Sequence, residues 1–209
     1  MLDQDALDRL WNFEDPAGSE ARFRDAIADG KYDADERAEL ATQLGRAIGL
    51  QGRYEEADAL LDAIDADEEP TVAVRILLER GRLLNSGGHP AMAVPLFEQA
   101  AELADHLGEE FLAVDALHML ALADGAHRES WTRSALEYAS TATDQRTRRW
   151  MAPLHINLGR ALYEAGRRTE AMIEFQLAEQ WAEKAGTPQQ QEAARQAIAE
   201  CADALVSGN

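Results

Sequence analysis

Apolar side chains recur along this chain at intervals of three and four residues, and no run rich in Val, Ile and Thr alternates strictly with polar residues. The first spacing keeps one face of an α-helix apolar, whereas a half-buried strand needs the second, so the expectation is helix without sheet. Ala194, Ile198, Cys201 and Leu205 illustrate it, forming one apolar stripe on a helix that Thr187 and Pro188 open as N-cap and first residue. Asp33 with Glu36 reads as a capping box at the start of another helix. Ala, Leu, Glu and Arg, all strong helix formers, fill much of the sequence between them.

A longer period lies over the helical one. The phrase LGRAIGLQGRYEEA starts at Leu44, LGRALYEAGRRTEA starts at Leu158, and ERGRLLNSGGHPAMAVPLFEQA starts at Glu79. Gly45, Gly81 and Gly159 align, each followed by an arginine: Arg46, Arg82 and Arg160. A second glycine comes seven residues later, at Gly52, Gly88 and Gly166, and an alanine follows at Ala57, Ala93 and Ala171. A bulky residue comes next, at Leu61, Phe97 and Phe175, then a smaller one at Ile64, Ala100 and Ala178. A weaker copy, with Ala121 in the first glycine position, lies in VDALHMLALAD and ESWTRSALEYASTAT. Successive copies are then 36, 40 and 38 residues apart. Upstream, QDALDRLWNF and SEARFRDAIAD make a further helix pair, with Phe23 and Ala26 where Phe97 and Ala100 fall.

These positions resemble the tetratricopeptide repeat, a helix–turn–helix unit. In that family a small residue in the first helix admits the second, a glycine ends the first helix, and a large residue fills the gap. Physical reasoning agrees, because glycine accepts left-handed dihedrals at a helix end and interlocked helices need small against large. The resemblance covers nearly the whole chain and implies an all-α fold, a right-handed α-solenoid of about five such units plus a C-terminal capping helix. The units are expected at residues 3–30, 33–67, 70–108, 109–143 and 144–186, with the cap at 188–206, eleven helices in a single domain spanning 1–209. The segments DADEEP and LADGAHRES are expected as loops between helices.

The resemblance also implies that first helices line a concave surface. Residues two before, one after and four after the buried glycine would face it: Gln43, Arg46 and Gly49; Glu79, Arg82 and Asn85; Asn157, Arg160 and Tyr163. Arg75 and His118 lie earlier in the same kind of helix. An arginine repeated at one inward position suits carboxylate, which its planar fork binds bidentately. The competing reading is that these arginines pair with neighbouring acids, Glu79 and Glu164 being at hand. The full lysine and asparagine set of the family's carboxylate-clamping members is missing.

Charge narrows the partners. The 209 residues carry 39 acidic against 20 basic side chains, a formal charge of −19, and Lys31 and Lys184 are the only lysines. A chain this acidic repels phosphate backbones and anionic bilayers, so neither nucleic acid nor membrane is an expected partner. Arg146, Arg148 and Arg149, leading into Trp150, form an isolated basic cluster placed to receive an acidic partner or another subunit, or to pair with the surrounding acids. Trp11, Trp131, Trp150 and Trp181 are expected as core plugs, Trp131 filling the weak copy, with interface anchoring as the alternative. The acidic N-terminal stretch and the absence of a membrane-length apolar run suggest a cytoplasmic protein.

Catalytic chemistry finds little footing. His89, His106, His118, His127 and His155 are scattered without metal-ligand spacing, although His118 and His155 are positioned to approach one another on adjacent first helices. Cys201, the only cysteine, sits on the cap's apolar stripe and reads as a small buried hydrophobe. No enzyme activity, cofactor or metal is expected. The expected function is a scaffold binding a protein or peptide segment, acidic or carboxylate-bearing, in its groove. Two alternatives are a sensor for a small signalling peptide or metabolite and a homo-oligomerising module.

Overall fold

The computed structural model describes residues 2, 4–66 and 69–207 and is all-helical over them, with the middle of the 65–70 loop outside the described residues. Two compact units divide the chain, residues 1–107 and 108–209. The first contains α1 (Gln4–Leu10), α2 (Pro16–Ala28), α3 (Ala34–Gly49), α4 (Tyr54–Asp62), α5 (Pro70–Ser86) and α6 (Pro90–Leu107). The second contains α7 (Glu110–Ala123), a 3-10 turn (Gly125–His127), α8 (Arg128–Thr141), α9 (Gln145–Arg148), α10 (Met151–Glu164), α11 (Arg168–Ala185) and α12 (Pro188–Val206). The count exceeds the expected eleven helices because one predicted helix is split. Asp144 accepts hydrogen bonds from the backbone N–H groups of Arg146 and Thr147 and caps a single turn, α9, and the chain restarts as α10 at Met151.

The repeated glycines are where one helix meets the next. A Cβ on Gly81 would lie 2.4 Å from Cε1 of Phe97, and a Cβ on Gly159 would lie 2.4 Å from Cε1 of Phe175. In the Gly45 copy the opposing residue is Leu61, whose Cδ2 would be 3.0 Å away. The bulky residue sixteen positions downstream therefore occupies the volume that the missing side chain leaves. Phe97 and Leu61 are essentially inaccessible and Phe175 is 3 % exposed, so each interlock is part of a core. The alanines one turn before these bulky residues, Ala57, Ala93 and Ala171, are completely buried. Gly52 and Gly166, between the paired helices, take φ of +78° and +77°, which a side chain would resist.

The second helices of successive pairs are tied by a second recurring device. Arg53 and Arg167, each the residue after a turn glycine, bond the glutamate three positions on: Arg53 to Glu56 at 2.5 Å and Arg167 to Glu170 at 2.6 Å. Each also reaches the second helix of the preceding pair, Arg53 meeting Glu20 at 2.7 Å and Arg167 meeting Glu129 at 2.8 Å. These sites are partly exposed, so their contribution is to orientation more than to stability.

The predicted capping box of Asp33 with Glu36 forms, and Thr187, expected as an N-cap, also makes a capping box with Gln190. On α12 the buried positions are Ala194, Ala197 and Cys201, with Ile198 half-buried and Leu205 43 % exposed. Cys201 Sγ donates to the carbonyl of Arg168, the first residue of α11. Leu205, one turn further on, overhangs the end of that neighbour. The four tryptophans are half-buried, with Trp11, Trp150 and Trp181 packed against the core from its edge and Trp131 outside it. Trp131 lies against the 3-10 turn, its indole N–H donating to Asp124 Oδ2 at 3.1 Å, because Ala135 and Ala139 already fill the core of this pair.

Because the Phe97 ring is rigid and fully enclosed, Gly81→Ala should destabilise the fold by about 1–3 kcal/mol despite alanine's better helix propensity. Chemical denaturation of Gly81→Ala, Phe97→Leu and the double variant checks this, and the double variant should lose less than the sum of the singles.

Candidate functional site

In the first unit the inward positions of α3 and α5 carry charges that are already engaged. Glu79 and Arg82 form an ion pair of 2.6 Å, and Glu79 is 2 % exposed. Arg75, a turn before Glu79, is 8 % exposed. Glu39 on α3 is fully buried and accepts the Leu2 backbone N–H at 3.0 Å. Burial pushes the Glu39 carboxyl above its ordinary pKa, and the positive charge of Arg75 and the Leu2 N–H only partly oppose this. Glu39 and Arg75 each lie six residues before their repeat glycine, and Glu39 is the member of this pair that the sequence positions did not include.

The remaining predicted residues of this unit are also occupied. Gln43 is buried, accepting the Trp11 indole N–H at 3.1 Å and donating to the Thr42 hydroxyl at 3.3 Å. The Arg46 guanidinium lies 5.6 Å from the Trp11 ring centre and 5.2 Å from that of Phe13. Those two rings stack 4.6 Å apart. Gly49 is a packing position, since a Cβ there would meet Leu83 Cδ2 at 2.4 Å. Asn85 is half-buried in the last turn of α5, its carbonyl accepting the Gly88 N–H. In the first unit the Arg46 guanidinium thus lies beside two aromatic rings and Arg82 is paired with Glu79.

The second unit gathers aromatic and cationic side chains on α7, α9 and α10. The Arg146 guanidinium sits 3.6 Å from the centre of the Phe111 ring. Phe111 lies 5.9 Å from Trp150, and Trp150 lies 5.0 Å from the His118 imidazole. Asn157 Nδ2 is 3.3 Å from His118 Nδ1, a contact that makes the amide the donor to an unprotonated nitrogen. Phe111 and His118 are seven residues apart on α7, as Trp150 and Asn157 are across α10, so each pair shares a helix face. Arg160, three residues beyond Asn157, is exposed and makes no ion pair among the described residues. Tyr163 is half-buried with the Arg168 guanidinium 5.6 Å from its ring centre.

A carboxylate fixes this arrangement. Glu110, at the start of α7, accepts the backbone N–H groups of Thr143 and Asp144 at 3.0 and 3.1 Å and is within 3.3 Å of the Thr143 hydroxyl. The Asp144 and Thr143 N–H groups hold the Glu110 carboxyl below its ordinary pKa. This clasp brings α9, and with it Arg146, beside Phe111. Arg148 is tethered separately, its Nε donating to the Ala142 carbonyl at 2.8 Å. The basic cluster thus occupies its own capped turn and is not the first turn of α10.

His118 and His155 are not brought together. His155 Nδ1 bonds Glu174 on α11 at 2.7 Å, away from the Asn157–His118 contact. Glu164 pairs with Arg128 at 2.8 Å, not with Arg160. Among the described residues no group of three His, Cys, Asp or Glu side chains is placed to hold a metal ion. Cys201 is fully buried and its thiol pKa is pushed up by burial. Among the described residues no helix is long and apolar enough to cross a membrane. Phe111 and Trp150 are the site residues that the repeat positions missed, and the seven-residue spacing from His118 and Asn157 was the available signal.

No family model matches the chain, and no curated protein matches it. Solved structures do: BtubC (BKLC) from P. vanneervenii is similar in fold, with a TM-score of 0.59 at 17 % identity, over 96 % of this chain and 92 % of that one.

Two outcomes follow from the charges. Glu110→Ala should cost about 1 kcal/mol at pH 7 and shift Trp150 emission, read by thermal melts and fluorescence. Its depressed pKa means the contribution is lost as pH falls through the folded value, so variant and wild type should converge in acid. Glu39 has the opposite sign. Its native carboxyl takes up a proton at higher pH than the unfolded one, so wild type should gain stability relative to Glu39→Gln as pH falls from 7 towards 4.

Proposed function

We propose that this chain is a non-enzymatic helical-repeat scaffold, its helix pairs the units of a tetratricopeptide-type α-solenoid, and that it binds a peptide segment of a partner protein. The first-helix face of the second unit receives that segment. The observation that carries this reading is the row Arg146–Phe111–Trp150–His118–Asn157, followed by the exposed Arg160. Half-buried aromatic rings with a cation at each end of the row suit a short segment with an apolar anchor and flanking carboxylates. In a chain of formal charge −19 such a face is set apart from its surroundings, which favours acidic partners here and disfavours them elsewhere. The repeated interlocks support the repeat reading, and a preformed helical surface limits the ordering cost of binding to the peptide.

Fluorescence anisotropy with a labelled peptide alternating Glu with Leu or Phe and ending in a free carboxylate tests the reading. The Arg146→Ala, Arg160→Ala double variant should bind at least tenfold more weakly, and raising salt from 50 to 300 mM should weaken wild type in the same direction. Affinity unchanged in the double variant, or equally reduced by Arg24→Ala on the outer helices, would reject it.

A further inference from the structure

A second surface has the opposite character. An open cleft of about 520 Å³ lies between α4 and α6, with α5 as its floor, entirely within the first unit. Its α4 wall presents Glu55, Asp58 and Asp62, spaced three and four residues apart and so aligned as one stripe along the helix. The floor and far wall supply Leu83 and Leu84 from α5 and Leu96 from α6, beside Arg80 on α5 and His89 just before α6. Tyr54 closes one end, its hydroxyl donating to the Ser86 carbonyl at 3.3 Å.

Among the described residues, Arg80 is the one cation paired with these carboxylates. Arg80 is in contact with Asp58 at 3.3 Å and also pairs with Asp62. Glu55 is exposed and makes no ion pair among the described residues. The cleft therefore keeps an excess of negative charge beside these leucines. Its wall extends along a nine-residue helix, about 13 Å of axis, so a matching occupant is elongated, some two helical turns long.

We infer that this cleft docks a basic amphipathic helical segment of another protein, its Lys or Arg side chains against α4 and its apolar face on Leu84 and Leu96. Charge complementarity selects the occupant: the formal charge of −19 attracts a cationic partner and repels a second copy of this chain. Helix-in-groove recognition needs the two components present here, apolar side chains for anchors and a charged rim for orientation. The cleft shares no residue with the acidic-peptide face of the second unit, so the scaffold holds two partners of opposite charge, and either site can fail without the other.

The test is anisotropy of a labelled fourteen-residue peptide of Leu and Lys in amphipathic helical register, titrated with the full chain. The Glu55→Gln, Asp58→Asn, Asp62→Asn triple variant should weaken binding at least tenfold. A control triple with the same charge change outside the cleft, Glu98→Gln, Glu102→Gln, Asp105→Asn, should weaken it less than twofold. Leu84→Ser should weaken it at least threefold, and Glu55→Lys, at an exposed position in the first turn of α4, should do so with a single cooperative melt whose midpoint falls only slightly. The inference is overturned if the peptide does not bind, if its Glu-for-Lys counterpart binds as well, or if both triples lose affinity equally. Sedimentation showing that the chain alone self-associates through the cleft, reversed by Glu55→Lys, would make a second copy the occupant and overturn it as well.

Discussion

A glycine pressed against the ring or branched chain of a residue sixteen positions on sets the distance between paired helices, and the rest of each unit is built around that distance. Gly81 against Phe97 and Gly159 against Phe175 leave no room for a Cβ. The turn glycines reverse the chain, and the completely buried alanines one turn before the bulky residues let the second helix lie flat on the first. Once the helices are that close, an arginine after the turn reaches a glutamate on its own helix and one on the second helix of the preceding pair. The sequence repeats because this contact repeats, and nothing in it specifies a ligand.

The polar residues on the first helices of the pairs differ between the two units. In the first, buried Glu39, Arg75, Glu79 and the adjoining Arg82 balance one another, and Trp11 and Phe13 lie beneath Arg46. Charges so enclosed are costly to leave unmatched, so this face favours internal pairing over capture of an anion. In the second, α7 and α10 bury Asp115 and His155, the latter bonded to Glu174, and add a row of rings with Arg146 over Phe111 and Arg160 exposed. The Glu110 clasp makes that difference structural, because it fixes the short α9 turn from which Arg146 reaches Phe111.

Helix pairs, the Asp33 capping box, turn glycines and the small-against-large contacts were legible in the sequence because each depends on residues at a fixed separation along one repeat. The site was legible only in part. His118, Asn157 and Arg160 lie where the repeat positions put them on the second-unit helices, but Arg82 is neutralised and Gln43 and Gly49 are consumed by packing. Whether an arginine stays available depends on acids and rings brought to it from other helices, such as Trp11 to Arg46, and one-repeat spacing does not encode that. The split of α9 from α10 escaped for a similar reason: it hinges on the Asp144 cap and the Glu110 clasp, the latter made across 33 or 34 residues.

The most direct measurement is a two-dimensional nitrogen–proton spectrum of the four tryptophan indoles during titration with the acidic, carboxylate-ended peptide. The Trp150 indole resonance should shift progressively and saturate while Trp11, held to Gln43 beside Arg46, stays in place. A shift of Trp11 with Trp150 unmoved would contradict the assignment of the peptide face to the second unit.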